Sequence, residues 1–137
     1  MHPMIRSALV LLAGVVAAVL VVMLMDGVVG SIYSLPSGAD PKNPERLRQA
    51  IAGLPAAAFL LLAAGWALAA GVGSYVAARL AAQDHAIHGV IVALFVLVAT
   101  VANLVRIPHP VWMWPAAIIL IPAAGWAATR LVGSARS

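Results

Sequence analysis

The chain has 137 residues, 64% of them hydrophobic and only 9% charged, and a mean hydropathy of +1.06. A water-soluble domain carries about a quarter charged residues, so this chain lacks the polar material to cover a surface facing water. Its formal net charge is +4, yet the eight Lys and Arg residues lie singly at block ends and in one loop, which excludes the clustered basic face of a nucleic-acid-binding protein. The absence of cysteine excludes thiol–disulfide chemistry, iron–sulfur clusters and Cys-type zinc sites.

The apolar residues fall into four blocks of about twenty, the length that crosses a hydrocarbon core of roughly 30 Å at 1.5 Å per residue. Each block must satisfy its own backbone in lipid, and a helix does so without closing a barrel. The first block, 7–25, follows a short start containing Arg6. A signal peptide shares that layout, but this block exceeds the usual apolar region of one and no small-x-small cleavage site follows Met25. A polar loop, 26–53, comes next, punctuated by Gly27, Gly30, Pro36, Gly38, Pro41 and Pro44. Within it Asn43 is an N-cap and Pro44 a first helical residue, which predicts a short helix over 44–52. Leu47, Ala50, Ile51 and Leu54 recur at helical spacing, so this helix lies at the interface with its Arg residues outward.

The remaining blocks are 54–80, 89–105 and 111–132, joined by a short polar link and by the turn Arg106-Ile107-Pro108-His109-Pro110. Short links make successive helices antiparallel neighbours. The expected fold is an all-α membrane protein: one domain, a four-transmembrane-helix bundle with a short interfacial helix in its first loop. Aligning Pro55 with Pro115 also superposes Ala63-Ala64-Gly65-Trp66-Ala67 on Ala123-Ala124-Gly125-Trp126-Ala127. Two tandem helical hairpins in parallel pseudo-repeat follow, with compositional coincidence between Ala-rich helices as the alternative. Both termini fall on one side. Lys and Arg are tied between the sides, and Arg6 ahead of the first helix favours cytoplasmic termini.

Asp26 ends an apolar run, where a carboxylate is expensive unless hydrated or paired. It either binds a cation or relays a proton, with Arg106 as its expected partner, or marks the membrane boundary. Asn103, near the end of the third block, suits hydrogen bonding between helices. With Tyr33 and His109, these residues form a candidate polar cluster at one membrane face. His85 and His88, spaced i, i+3, are weak candidates for a metal, since Asp84 is the only acidic neighbour in that link. No block carries a histidine in its middle, where a haem-binding pair would face across the core, so no cofactor is expected. Gly65, Ala69, Gly73 and Ala77 form a stripe of small residues that lets another helix approach, within the bundle or in a dimer. Trp66 and Trp126 lie deep in their blocks, where each indole N–H seeks a partner. Trp112 and Trp114 suit the interfacial belt. Pro122 is expected to kink the last helix near Ile118.

Asp26-Gly27, Tyr33, Pro36, Gly38 and Asp40, then Asn103-Leu104 and Ile107-Pro108-His109-Pro110 with Trp112, resemble a group of short, uncharacterised bacterial inner-membrane proteins with four predicted helices. The resemblance implies a bacterial inner-membrane location and brings no activity. Three functional classes stay open. The preferred one is a non-catalytic accessory or structural component whose partners are the lipid bilayer and a second copy or another membrane protein. The alternatives are a small oligomeric transporter or channel for a neutral or lipophilic substrate, and a membrane enzyme using the Asp26/His109 face.

Overall fold

A computed structural model of the chain describes residues 1–34, 40 and 42–136. It contains five helices and, among the described residues, no strand: α1 Pro3–Ile32, α2 Pro44–Ala52, α3 Ala56–Leu80, α4 His85–Arg106 and α5 Met113–Arg136. All but α2 are long and apolar enough to cross a membrane, which makes this a multi-pass, all-α bundle. Pro36, Gly38 and Pro41 of the polar loop lie outside the described residues.

α1 begins with Pro3 in its first turn and the His2 imidazole accepting the Met4 N–H at 3.3 Å. It does not stop at Met25. The helix continues through Asp26, Gly27 and Gly30 to Ile32, and the Tyr33 N–H closes it on the Val29 carbonyl at 2.7 Å. Extending a formed helix fixes one residue per hydrogen bond gained, whereas ending it inside lipid strands carbonyls without donors. That balance outweighs the two glycines, each unfavourable by about 1 kcal/mol relative to alanine.

α2 forms where its cap predicts. The Asn43 side-chain oxygen accepts the Arg46 N–H at 3.2 Å, Pro44 supplies the first helical residue, and Glu45 accepts from Gln49 one turn on. Its apolar residues do not lie flat against lipid. Ile51 is buried in the main core, with Leu47 and Leu54 packed beside it, while Arg46 and Arg48 point outward.

α3 is the hub, touching α1, α4 and α5, whereas α1 and α5 do not touch each other. The two hairpins therefore pack asymmetrically, because a two-fold axis exchanging them would demand an α1–α5 contact to match α3–α4. Small residues set the closest crossings. A Cβ on Gly73 would fall 2.7 Å from the Gly14 carbonyl oxygen, and one on Gly14 would fall 2.8 Å from the Gly73 carbonyl oxygen. Backbone meets backbone there, and only glycine permits it. On the other side of the hub, Gly89 abuts Thr129 and Gly125 abuts Ala93. The Ser74 hydroxyl, fully buried, donates to the Gly89 carbonyl at 2.8 Å and ties α3 to α4.

The stripe Gly65, Ala69, Gly73 and Ala77 is buried throughout. α1 covers it, with Met25 against Gly65 and Gly14 and Ala18 against Gly73, so the stripe serves packing within the chain rather than a dimer. The repeated tryptophans differ. Trp66 is buried, but Trp126 is 59% exposed on the outer face, with the Arg130 guanidinium 5.3 Å from its ring centroid. Trp126 takes a cation from the next turn instead of a partner inside the core. α5 runs through Pro122 to Arg136, whose guanidinium donates to the Arg79 and Ala81 carbonyls at 2.6 and 3.1 Å. A cation thus closes the C-terminal end of α3, where unpaired carbonyls favour one.

Candidate functional site: a lateral cavity between α1, α3 and α4

Towards the loop end of the bundle the helices separate around a cavity of about 520 Å³. Its walls come from α1, α3 and α4, and Leu47, Ile51 and Leu54 close it from the α2 side. Val19 and Met23 of α1 and Phe95 of α4 line it and are also exposed. The mouth therefore opens sideways between α1 and α4, towards the membrane rather than along the bundle axis. α1 and α3 touch through Gly14 and Gly73 and again at Met25 and Gly65, while Phe59, Leu62 and Trp66 on another face of α3 border the gap. Both phenylalanines of the chain, Phe59 and Phe95, line this cavity.

The polar lining is concentrated at one end. Asp26, Tyr33, Asn103 and His109 all border the cavity, joined by Thr100 and Trp66. Met25 sits against Gly65, which sets Asp26 level with the Gly65–Trp66 turn. That level is about 14 Å along α3 from its first residue, and α1 extends about 9 Å beyond Asp26. Asp26 is thus a side chain of the helix body, not its terminus. Arg106 is exposed and outside the cavity lining, and no ion pair joins it to Asp26 among the described residues. The expected pair does not form because Arg106 occupies the last turn of α4 and faces away from the cavity that Asp26 borders.

His109 reaches the site from the turn before α5. Its Nδ1 lies 2.7 Å from the Ile107 carbonyl oxygen, which can only accept, so Nδ1 carries a proton and Nε2 is the remaining polar atom of the ring. The imidazole sits in the notch between Phe59 and Trp66, edge-on to both, with centroids 6.4 and 5.9 Å away. Phe59 and Trp66 are two helical turns apart on one face of α3, which is what makes the notch. A second cavity of about 430 Å³ lies towards the loop face, bordered by Arg48, Pro108 and Trp112. His109, Phe59, Ile51 and Leu54 border both cavities and form the partition between them.

Among the described residues, the side chains of Asp26, Tyr33, Trp66, Thr100 and Asn103 make no hydrogen bond within the protein. None of their polar atoms is sealed away without a partner either. Trp66 and Thr100, buried as residues, therefore present the indole N–H and the hydroxyl to the cavity surface. The Thr100 hydroxyl does not return to its own backbone, the behaviour expected of a threonine in a helix.

His85 and His88 lie elsewhere, at the terminal face. His88 Nδ1 approaches the Asp84 carbonyl at 3.0 Å, and His85 stands near Gly133. No group of three His, Asp or Glu side chains able to hold a metal gathers among the described residues. The sequence pointed to neither Phe59, Phe95 nor Ser74. The available signal was the i, i+3, i+7 spacing of Phe59, Leu62 and Trp66, bulky residues on one face of an otherwise alanine-rich helix.

No protein-family model, curated protein sequence or solved structure matches this chain. The chemistry of the site rests on these side chains alone.

Proposed function

We propose that the protein is a non-catalytic membrane component that takes a lipophilic small molecule or single lipid chain from the bilayer into the cavity between α1, α3 and α4. The observation that carries this reading is a cavity of about 520 Å³ with an exposed mouth at Val19, Met23 and Phe95 and an unpartnered polar end at Asp26, Thr100 and Asn103. Ligand sites of about 300–1,000 Å³ with mostly apolar walls and few polar anchors are the common form for small molecules. An amphipathic molecule matches both ends at once, its hydrocarbon part towards Val22 and Val96 and its polar part towards the cluster.

The hydroxyls of Ser31, Ser74 and Thr129 each donate to a backbone carbonyl rather than to a general base, which does not favour nucleophilic catalysis at those positions. A second reading, an accessory subunit that receives a partner's helix, is favoured by α1, whose apolar stretch is only 17% buried within the chain. We further place the chain in a bacterial inner membrane with both termini cytoplasmic, on the sequence resemblance and on Arg6 preceding α1.

Photolabelling of the full chain in phosphatidylcholine nanodiscs with a diazirine-bearing fatty alcohol tests the ligand reading. Adducts should concentrate on the cavity walls, at Val22, Met23, Phe95 and Val96, and Val96→Phe, which fills the space, should remove them. Uniform labelling of all lipid-facing residues, unchanged by Val96→Phe, would refute it. Copurification in mild detergent separates the accessory reading, which requires a stable partner.

A further inference from the structure

We infer that the preferred occupant of the cavity is a lipophilic monocation, an amine or onium group on an apolar body, with Asp26 as its counter-ion; this deepens the lipophilic-ligand reading and rests on it. Asp26 is the only Asp or Glu bordering the cavity, and none of the eight Lys and Arg side chains borders it among the described residues. The carboxylate has no hydrogen bond and no ion pair within the described chain. Asp26 is exposed at the edge of the cavity, and in a bilayer a carboxylate beside apolar walls is unfavourable until something compensates it. None of the described residues supplies that compensation, so water or a ligand must.

The neighbouring groups favour a cation over a neutral donor. Four aromatic rings border the same space: Tyr33, Phe59, Trp66 and Phe95. Their faces carry negative quadrupole potential that attracts an ammonium or onium group, most strongly when it is desolvated. An anion would meet the Asp26 carboxylate with no cation beside it. One carboxylate and several rings specify a single positive charge, and the absence of further acids leaves a divalent cation without ligands.

The test uses two probes with the same four phenyl rings and opposite charge, tetraphenylphosphonium and tetraphenylborate. Binding to the full chain in phosphatidylcholine nanodiscs is measured by equilibrium dialysis, with empty nanodiscs subtracted. Saturable binding is expected for tetraphenylphosphonium and none for tetraphenylborate. Asp26→Asn, which preserves shape at a side chain without protein partners, should weaken the phosphonium at least tenfold, equivalent to about 1.4 kcal/mol. Asp26→Glu should retain most of the affinity, and Val96→Phe should abolish it. Equal affinity for both ions, or phosphonium binding unaltered by Asp26→Asn, would overturn the inference. If the fatty alcohol labels the cavity while the phosphonium does not bind, the cation claim falls and the lipophilic-ligand reading stands. If neither occupies the cavity, both fall.

Discussion

The two halves of the bundle, built from the same helices, pack in opposite ways. Near the termini, Gly14, Gly73, Gly89 and Gly125 bring backbones together, and Ser74 adds a buried hydrogen bond between α3 and α4. Near the loops, Phe59, Leu62 and Trp66 border a cavity beside the Met25–Gly65 contact, and among the described residues Asp26, Thr100 and Asn103 have no hydrogen-bond partner. In a bilayer, lipid is as apolar as leucine, so helices associate through close packing and hydrogen bonds rather than through hydrophobic burial. The tight half therefore contributes the backbone crossings and the buried hydrogen bond. The open half is free to hold polar groups that contribute nothing to the fold, which is the property of a site.

Substitutions that exchange the character of the halves should separate these roles. The largest effect is expected from Gly73→Leu. Its Cβ alone would fall 2.7 Å from the Gly14 carbonyl oxygen, and forced separation of the helices should destabilise by about 3 kcal/mol, at the upper end of overpacking effects. Equilibrium unfolding in mixed micelles measures it. A value near zero would mean that α1 does not dock where the crossing places it. Ser74→Ala removes the buried bond to Gly89 and should cost about 1 kcal/mol in the same assay, within the range measured for polar contacts between membrane helices.

Gly27→Ala gives the opposite sign. A Cβ at Gly27 meets nothing within 4 Å, so alanine should stabilise the end of α1 by about 0.5–1 kcal/mol through helix propensity. Amide exchange at Val28 to Ile32 should slow accordingly. Val96→Phe is expected to act on ligand uptake more than on stability. The added ring enters existing space, so unfolding should shift by less than about 1.5 kcal/mol while ligand labelling is lost. Equal destabilisation by Val96→Phe and Gly73→Leu would erase the distinction between the halves.

The four spans and α2 were legible in the sequence because their signals are local. Hydropathy over a helix length marks a span, and Asn43-Pro44 marks a cap. The end of α1 was less legible. Asp26-Gly27 reads as a boundary, but helix extension in lipid overrides two glycines, and this places Asp26 beside the Trp66 turn. Trp66 and Trp126 each follow a buried glycine, yet only Trp66 is inside. The difference lies in the surroundings, since α3 has three neighbours and α5 has two. Asp26, Tyr33, Asn103 and His109 were expected at one membrane face, and all four border the loop-end cavity. The exclusion of Arg106 was not expected, because it depends on how α4 is rotated. Nor does any local pattern reveal that His109 folds back between Phe59 and Trp66, since that follows from the path of a proline turn.

The central claim is that the loop-end cavity admits molecules from the bilayer. Trp66 tests it directly, because it is only 6% exposed and lines that cavity. A chain retaining Trp66 as its sole tryptophan, with Trp112, Trp114 and Trp126 changed to Phe, is placed in bilayers containing lipids brominated along their acyl chains. Strong quenching of Trp66, largely abolished by adding Val96→Phe, is the predicted result. Weak quenching that Val96→Phe does not alter would show a closed interior and contradict the account.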